Sequence, residues 1–125
     1  MIKEIAKYQY EIQKSKFIGI AYNIDNLDMV DEILNKLKKE NKKAKHICYG
    51  YKIEKADKTI LIKASDDKEP KGTASLPILN AINNLNYKNI ALFIIRYFGG
   101  IKLGVGGLYR SYTKVALETL KLINI

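Results

Sequence analysis

The residues best equipped for chemistry lie late in the chain. The stretch Arg96-Tyr97-Phe98-Gly99-Gly100-Ile101-Lys102-Leu103-Gly104-Val105-Gly106-Gly107 holds five of the eight glycines, and the chain's two arginines, Arg96 and Arg110, stand at either side of it. Glycine has no Cβ and accepts positive φ, so a loop built this way lets backbone N–H groups approach a ligand. An apolar run, Ile90 to Ile95, precedes it and helical spacing follows it. The stretch therefore reads as strand, glycine-rich loop and helix. A helix start offers unpaired N–H groups and a partial positive charge, which suits an anion. The binding candidates are Arg96, Tyr97, Gly99, Gly100, Lys102, Gly104, Gly106, Gly107, Arg110 and Lys114. The loop is neither of the common phosphate motifs. Val105 follows Gly104 where a Walker A loop needs Lys, and Tyr109 stands where the third glycine of a dinucleotide fingerprint would fall. The plainer reading, a tight turn whose glycines allow close packing, stays open on spacing alone.

A second group comprises His46, Asp66, Asp67, Glu69 and Thr73. Three carboxylates within Asp66-Asp67-Lys68-Glu69 have the oxygen chemistry for a divalent cation. Their spacing is not that of an EF-hand, and Lys68 sits among them. Asp side chains bond neighbouring backbone readily, so capping and loop order are the preferred reading. His46 and Cys48 are the only His and Cys; two apart on a strand, they point to one face. A thiolate–imidazole pair is conceivable there. No third group orients it, and a small cysteine on a strand usually serves packing. One Cys and one His are too few for a zinc site. No catalytic residue, metal or cofactor is assigned.

Several elements must position these groups. Residues 3–12 alternate loosely, with Tyr8, Tyr10 and Ile12 on one parity. In residues 17–24, Ile18, Ile20, Tyr22 and Ile24 share a face, with Phe17, Gly19 and Ala21 on the other. The two make a hairpin. Asp25 or Asn26 caps a helix from Leu27 to Glu40, whose stripe is Leu27, Val30, Ile33, Leu34 and Leu37. Its tail carries Lys36, Lys38, Lys39, Lys42, Lys43 and Lys45; lysines here complement the helix dipole, and a polyanion surface is the sharper alternative.

His46 to Ile53 and Thr59 to Ala64 form a second hairpin. Thr73 or Ser75 caps a helix with Pro77 in its first turn and Leu76, Leu79, Ile82 and Leu85 as its stripe. Ile90 to Ile95 is apolar on both parities, which demands cover on both faces. The last helix, Gly104 to Leu122, packs through Leu108, Tyr112, Val115, Thr119 and Ile123. Arg110, Lys114 and Lys121 line up on another face. Tyr8, Tyr10, Tyr22, Tyr49 and Tyr51 could share one sheet face, as a base-stacking surface, a protein contact or a layer under the helices.

The chain has 125 residues, one domain by size. Its 22 basic and 13 acidic residues leave +9, an excess that favours polyanions without specifying a site. No apolar run is long enough to span a bilayer. The first residues lack a signal peptide's apolar region, and a lone cysteine permits no internal disulfide. A cytoplasmic protein is expected, with no membrane partner.

As a family mark the stretch is more specific than as a chemical motif. Arg96 to Tyr112 closely resembles the signature of the IMPACT family, the YigZ-like proteins of bacteria and their eukaryotic relatives. Lys14-Ser15-Lys16-Phe17-Ile18-Gly19 is similar to the family's early Ser-Lys/Arg-Phe segment. His46-Ile47-Cys48-Tyr49-Gly50-Tyr51 is similar to its His-x-Cys-x-Ala strand, with Gly50 replacing alanine. Ser65 to Ala74 is similar to its Ser-Asp-Asp-Gly-Glu-Pro loop, with Lys68 in place of glycine. The resemblance implies the family's N-terminal domain, residues 1–125. It implies an α+β two-layer fold similar to the second domain of ribosomal protein S5, a four-stranded, mainly antiparallel sheet with helices on one face. Bacterial members usually carry a ferredoxin-like C-terminal domain, which is absent from this sequence.

The resemblance also implies translation control; eukaryotic relatives bind a partner of the starvation-responsive initiation-factor kinase. The expected function is a non-enzymatic regulatory or binding domain that contacts RNA or ribosome-associated factors through the basic glycine-rich loop. One alternative is a protein-interaction domain, or a homodimer, acting through the sheet face. Another is an enzyme on a phosphorylated small molecule, marked by a pocket holding Asp66, Asp67 and Glu69 against Arg96 or Arg110.

Overall fold

A computed structural model describes residues 2–123. Its elements are β1 (Lys3–Ile12), β2 (Ser15–Asn23), α1 (Leu27–Glu40), β3 (His46–Glu54), β4 (Ile60–Ser65), α2 (Ser75–Asn84), β5 (Ile90–Tyr97) and α3 (Gly104–Lys121). The expected α+β class holds. The sheet has five strands rather than four, in the order β1-β2-β5-β3-β4, and every pairing is antiparallel. Both hairpins contribute two strands, and β5 joins them in the middle.

The β1–β2 hairpin turns at Gln13 and Lys14, both at positive φ (51° and 64°). Two left-handed residues make the tight turn whose twist matches that of the strands. The loose alternation of β1 has a cause: its register slips between Glu4 and Ala6, and the extra residue of such a bulge resets the parity.

Helices lie on both faces of the sheet, which corrects the two-layer expectation. Ile90, Leu92 and Ile94 of β5 pack with Ile78, Ala81 and Ile82 of α2 and with Leu108, Tyr112, Val115 and Leu120 of α3. Ala91, Phe93 and Ile95 face the other way, into a cluster with Val30, Ile33 and Leu37 of α1. A strand apolar on both parities therefore finds both covers within its own chain. The tyrosines divide accordingly. Tyr8 and Tyr10 pack on the α3 side, while Tyr22, Tyr49 and Tyr51 belong to the α1 side. No single tyrosine face exists, and burial beneath α1 pushes the Tyr22 phenol up to about 12.

Local choices explain the helix ends. Asn26 caps α1 by accepting from Met29 N at 3.0 Å. Neither Thr73 nor Ser75 caps α2: Ala74 holds the cap position, and the capping carboxylate is that of Asp66. The α2 stripe is Pro77, Ile78, Ala81 and Ile82, one step from the expected one, and Leu76 is 52% exposed. The α3 face is as expected, with Leu108, Tyr112, Val115 and Thr119 buried. Among the described residues no helix is long and apolar enough to cross a membrane.

Candidate functional site

The site grows from the end of β5. Arg96 is the last buried residue of that strand, on the α3 side. Its guanidinium lies between the rings of Phe17 and Phe98, at 5.7 and 5.6 Å from their centroids. Nη1 donates to both oxygens of Glu69, at 3.0 and 2.9 Å. Tyr112 donates its hydroxyl to Glu69 Oε2. His46 donates from Nδ1 to the Asp67 carbonyl at 2.7 Å, leaving Nε2 3.3 Å from Glu69 Oε1. A buried carboxylate with this many donors is held firmly, and removing one charged partner of such a pair typically costs about 3–5 kcal/mol.

The acidic loop is shaped to deliver Glu69. Asp67 and Lys68 both take positive φ, 42° and 69°, and turn the chain sharply. Lys68 thus occupies a left-handed position, which is why glycine suits that place in the resembling family. Asp66 accepts from Gly72 N, Ala74 N, Ser75 N and Ser75 Oγ, at 2.7 to 3.1 Å. Asp67 Oδ2 accepts from Ile47 N at 2.7 Å. Thr73 Oγ1 donates to Pro70 O at 2.6 Å. Capping and loop order is therefore the use these groups find. Among the described residues no group of three or more His, Cys, Asp or Glu side chains is placed to hold a metal ion.

Cys48 shares the face of His46 as expected, but it is fully buried, with Sγ 3.2 Å from Asp66 O and 3.4 Å from Tyr112 Oη. Burial pushes its thiol up, and the neighbouring acids add to that. Burial also raises the Tyr112 phenol, so it stays a neutral donor. Neither group is an available nucleophile at neutral pH.

The glycines have distinct jobs. Gly99 presses on the Lys14 carbonyl of the hairpin turn, where a Cβ has no room, and its N–H reaches Ser15 Oγ at 3.3 Å. Gly100 and Gly104 have positive φ, 93° and 73°. Gly106 and Gly107 sit in the first turn of α3, beneath the Arg110 side chain. The plainer reading is correct for Gly99, while the first turn of α3 stays open. Leu103 in the cap position offers no side-chain bond, and no acid stands in that turn.

Beside this helix start is a cavity of about 320 Å³. Lys45 and Lys102 bring positive charge to it, Arg96 lines it with its own charge met by Glu69, and Phe98, Leu103 and Leu108 make apolar wall. Lys45 also borders a second hollow, of about 260 Å³, with Lys38, Lys42 and His46. The lysines at the end of α1 thus continue the basic surface.

Other expected members stand apart. Tyr97 points to the α1 side and donates to Asn41 Oδ1 at 2.6 Å. Lys114 lies over the Tyr10 ring, 5.4 Å from its centroid, and Lys121 pairs with Glu118 at 3.5 Å. Phe98, Leu103, Val105 and Leu108 were not foreseen as site residues, and Lys45, expected only as part of a separate polyanion surface, joins them at the pocket. Exposure of Phe98 (44%) and Val105 (63%) marks them, and a single sequence does not display exposure.

Fold and site together define a small α+β domain with helices on both faces of an antiparallel sheet and a cationic pocket where its last helix begins. Residues 13–120 match the Impact N-terminal domain, and the chain belongs to the IMPACT family. It is 38% identical over 124 residues to the IMPACT family member YvyE of Bacillus subtilis (strain 168), covering 99% of this chain and 56% of that protein. The chain spans about half the length of the curated relatives it matches. A crystal structure of a hypothetical protein superposes with a TM-score of 0.89 at 28% identity, over 98% of this chain and 61% of that one. The two-domain translational regulator Yih1 shares the fold at a TM-score of 0.55 and 19% identity, over 96% of this chain and 46% of that one.

Proposed function

We propose that this domain is a non-enzymatic regulatory or binding module linked to translation control, and that it contacts RNA or a ribosome-associated factor through the basic surface around its glycine loop. The observation that carries the reading is the run of cationic groups there: Lys102 and Lys45 at the pocket, then Lys42 and Lys38. Uncapped N–H groups at the start of α3 add to it. Family membership supports the translation link. An enzyme on a phosphorylated substrate finds less support. Glu69 does meet Arg96, but as a buried ion pair, and Asp66 and Asp67 are occupied by backbone N–H groups. A protein contact on the face that carries Tyr22, Tyr51 and Phe93 would first have to displace α1.

The test is binding of fluorescent single-stranded RNA across a salt series. Affinity should fall steeply with salt, and roughly ten-fold in Lys102→Glu and in Arg110→Glu, since each reverses a charge near the loop. Salt-independent binding, or variants that bind like wild type, would overturn the reading.

A further inference from the structure

The cavity at the start of α3 has features that a rim of scattered lysines does not need. It combines charge and apolar wall in one small volume. Lys45, Lys102 and Arg96 meet Phe98, Leu103 and Leu108 around about 320 Å³. That is the small end of the roughly 300–1,000 Å³ typical of ligand sites. A bare inorganic anion would leave the apolar wall wet, and a purely apolar ligand would leave the cations unmatched.

Arg96 supplies an independent sign. It is 5% exposed and lines the cavity, yet its bond to Glu69 uses Nη1 alone. Its Nε is a buried donor with no partner among the described residues. Buried donors are nearly always satisfied. The first turn of α3 adds the N–H groups of Gly104, Val105 and Gly106, which no intrahelical carbonyl can accept. Phe98 rests on the Arg96 guanidinium, 5.6 Å from its centroid, and is 44% exposed. A half-open ring backed by a cation is a stacking platform for a base.

The geometry points to a nucleotide pocket. A single nucleoside monophosphate places its phosphate on the first turn of α3, between Lys45 and Lys102, and its base against Phe98 and Leu103. The same chemistry is presented by a free nucleotide and by the 5′-phosphorylated end of an RNA. The choice of a nucleotide over other aromatic anions rests on the proposed RNA function; the need for an anion on an apolar body does not.

Calorimetric titrations of the protein with AMP, adenosine and inorganic phosphate test this, followed by the same short RNA with a 5′-phosphate or a 5′-hydroxyl. Two variants at exposed positions keep the fold. Val105→Asp places a carboxylate where the phosphate would sit, and an acid there favours the helix itself. Phe98→Leu removes the ring and keeps apolar bulk. AMP should bind at least ten-fold more tightly than adenosine or inorganic phosphate, and each variant should weaken it about ten-fold. Amide resonances of Gly104, Gly106 and Gly107 should shift on addition of AMP.

Equal binding of AMP and inorganic phosphate, or variants that leave AMP binding unchanged, would overturn the pocket assignment. RNA that binds with strong salt dependence but ignores both variants would also overturn it, while leaving the RNA reading intact. AMP bound at these amides with no affinity for either RNA would do the reverse: the pocket stands, its source is a free nucleotide, and the RNA reading falls.

Discussion

Asp66 places both carboxylate oxygens on N–H groups at the entry to α2. Burial alone would raise its pKa; donation from Gly72, Ser75 and Ala74 outweighs that and holds the carboxyl below its ordinary 3.8. A depressed folded pKa means that the folded state binds fewer protons. The stabilisation is therefore complete above the unfolded value and is lost as pH falls through that value towards the folded one. Asp66→Asn should be less stable than wild type by about 2 kcal/mol at pH 7. In urea denaturation at a series of pH values, the gap should close below about pH 4. A constant gap would mean that the side chain's shape, not its charge, matters. This role was legible in part, because Asp has a chemistry for local backbone bonds. The Arg96–Glu69 pair was legible only as one alternative: the partners are 27 residues apart, and the sequence did not say which acid of the loop meets which of the two arginines.

The helices sit close to the sheet because glycines face them. A Cβ at Gly50 would lie 2.5 Å from Ile78 Cγ2 of α2. Ile78 here fills space that a methyl group would otherwise take. Gly50→Ala should cost about 1–3 kcal/mol through overpacking. In an Ile78→Ala background the same change should cost less, or even stabilise. A double-mutant cycle in urea reads the coupling; strict additivity would mean that α2 shifts freely. Periodicity located all three helices and most strands, because 3.6- and 2-residue repeats survive in a single sequence. It missed the α2 stripe by one step. The helix is capped from outside, by Asp66, and that anchor sets which side of α2 turns inward.

At the scale of the molecule, α1 decides what the domain can offer a partner. It closes the second face of the sheet, where Ile33 is 0% exposed beside Tyr22, Tyr51 and Phe93. The apolar surplus of β5 was plain in the sequence. Its cover was not, because the resemblance implied helices on one side only, and helical periodicity does not say which face a helix crosses. Ile33→Ala should cost about 2–5 kcal/mol and promote self-association as the face loosens, read by urea denaturation and sedimentation. A loss below about 1 kcal/mol would mean that α1 is a weakly held cover.

The position of β5 also governs when the molecule can form during synthesis. It is the last of the described strands in chain order, yet it lies between β2 and β3, and the two hairpins share no ladder without it. Until β5 has left the ribosome, each hairpin is a two-stranded piece with its inner edge bare, a form marginal in water and open to wrong pairing. The contacts that complete the sheet reach back across most of the chain, from Ile95 to Ile18 and from Gly99 to Lys14. Such long-range closure makes for slow folding. A nascent chain of this kind stays unfinished until β5 emerges, and the basic pocket, which joins Lys45 and Pro70 to residues at and beyond the end of β5, is among the last features of the domain to appear.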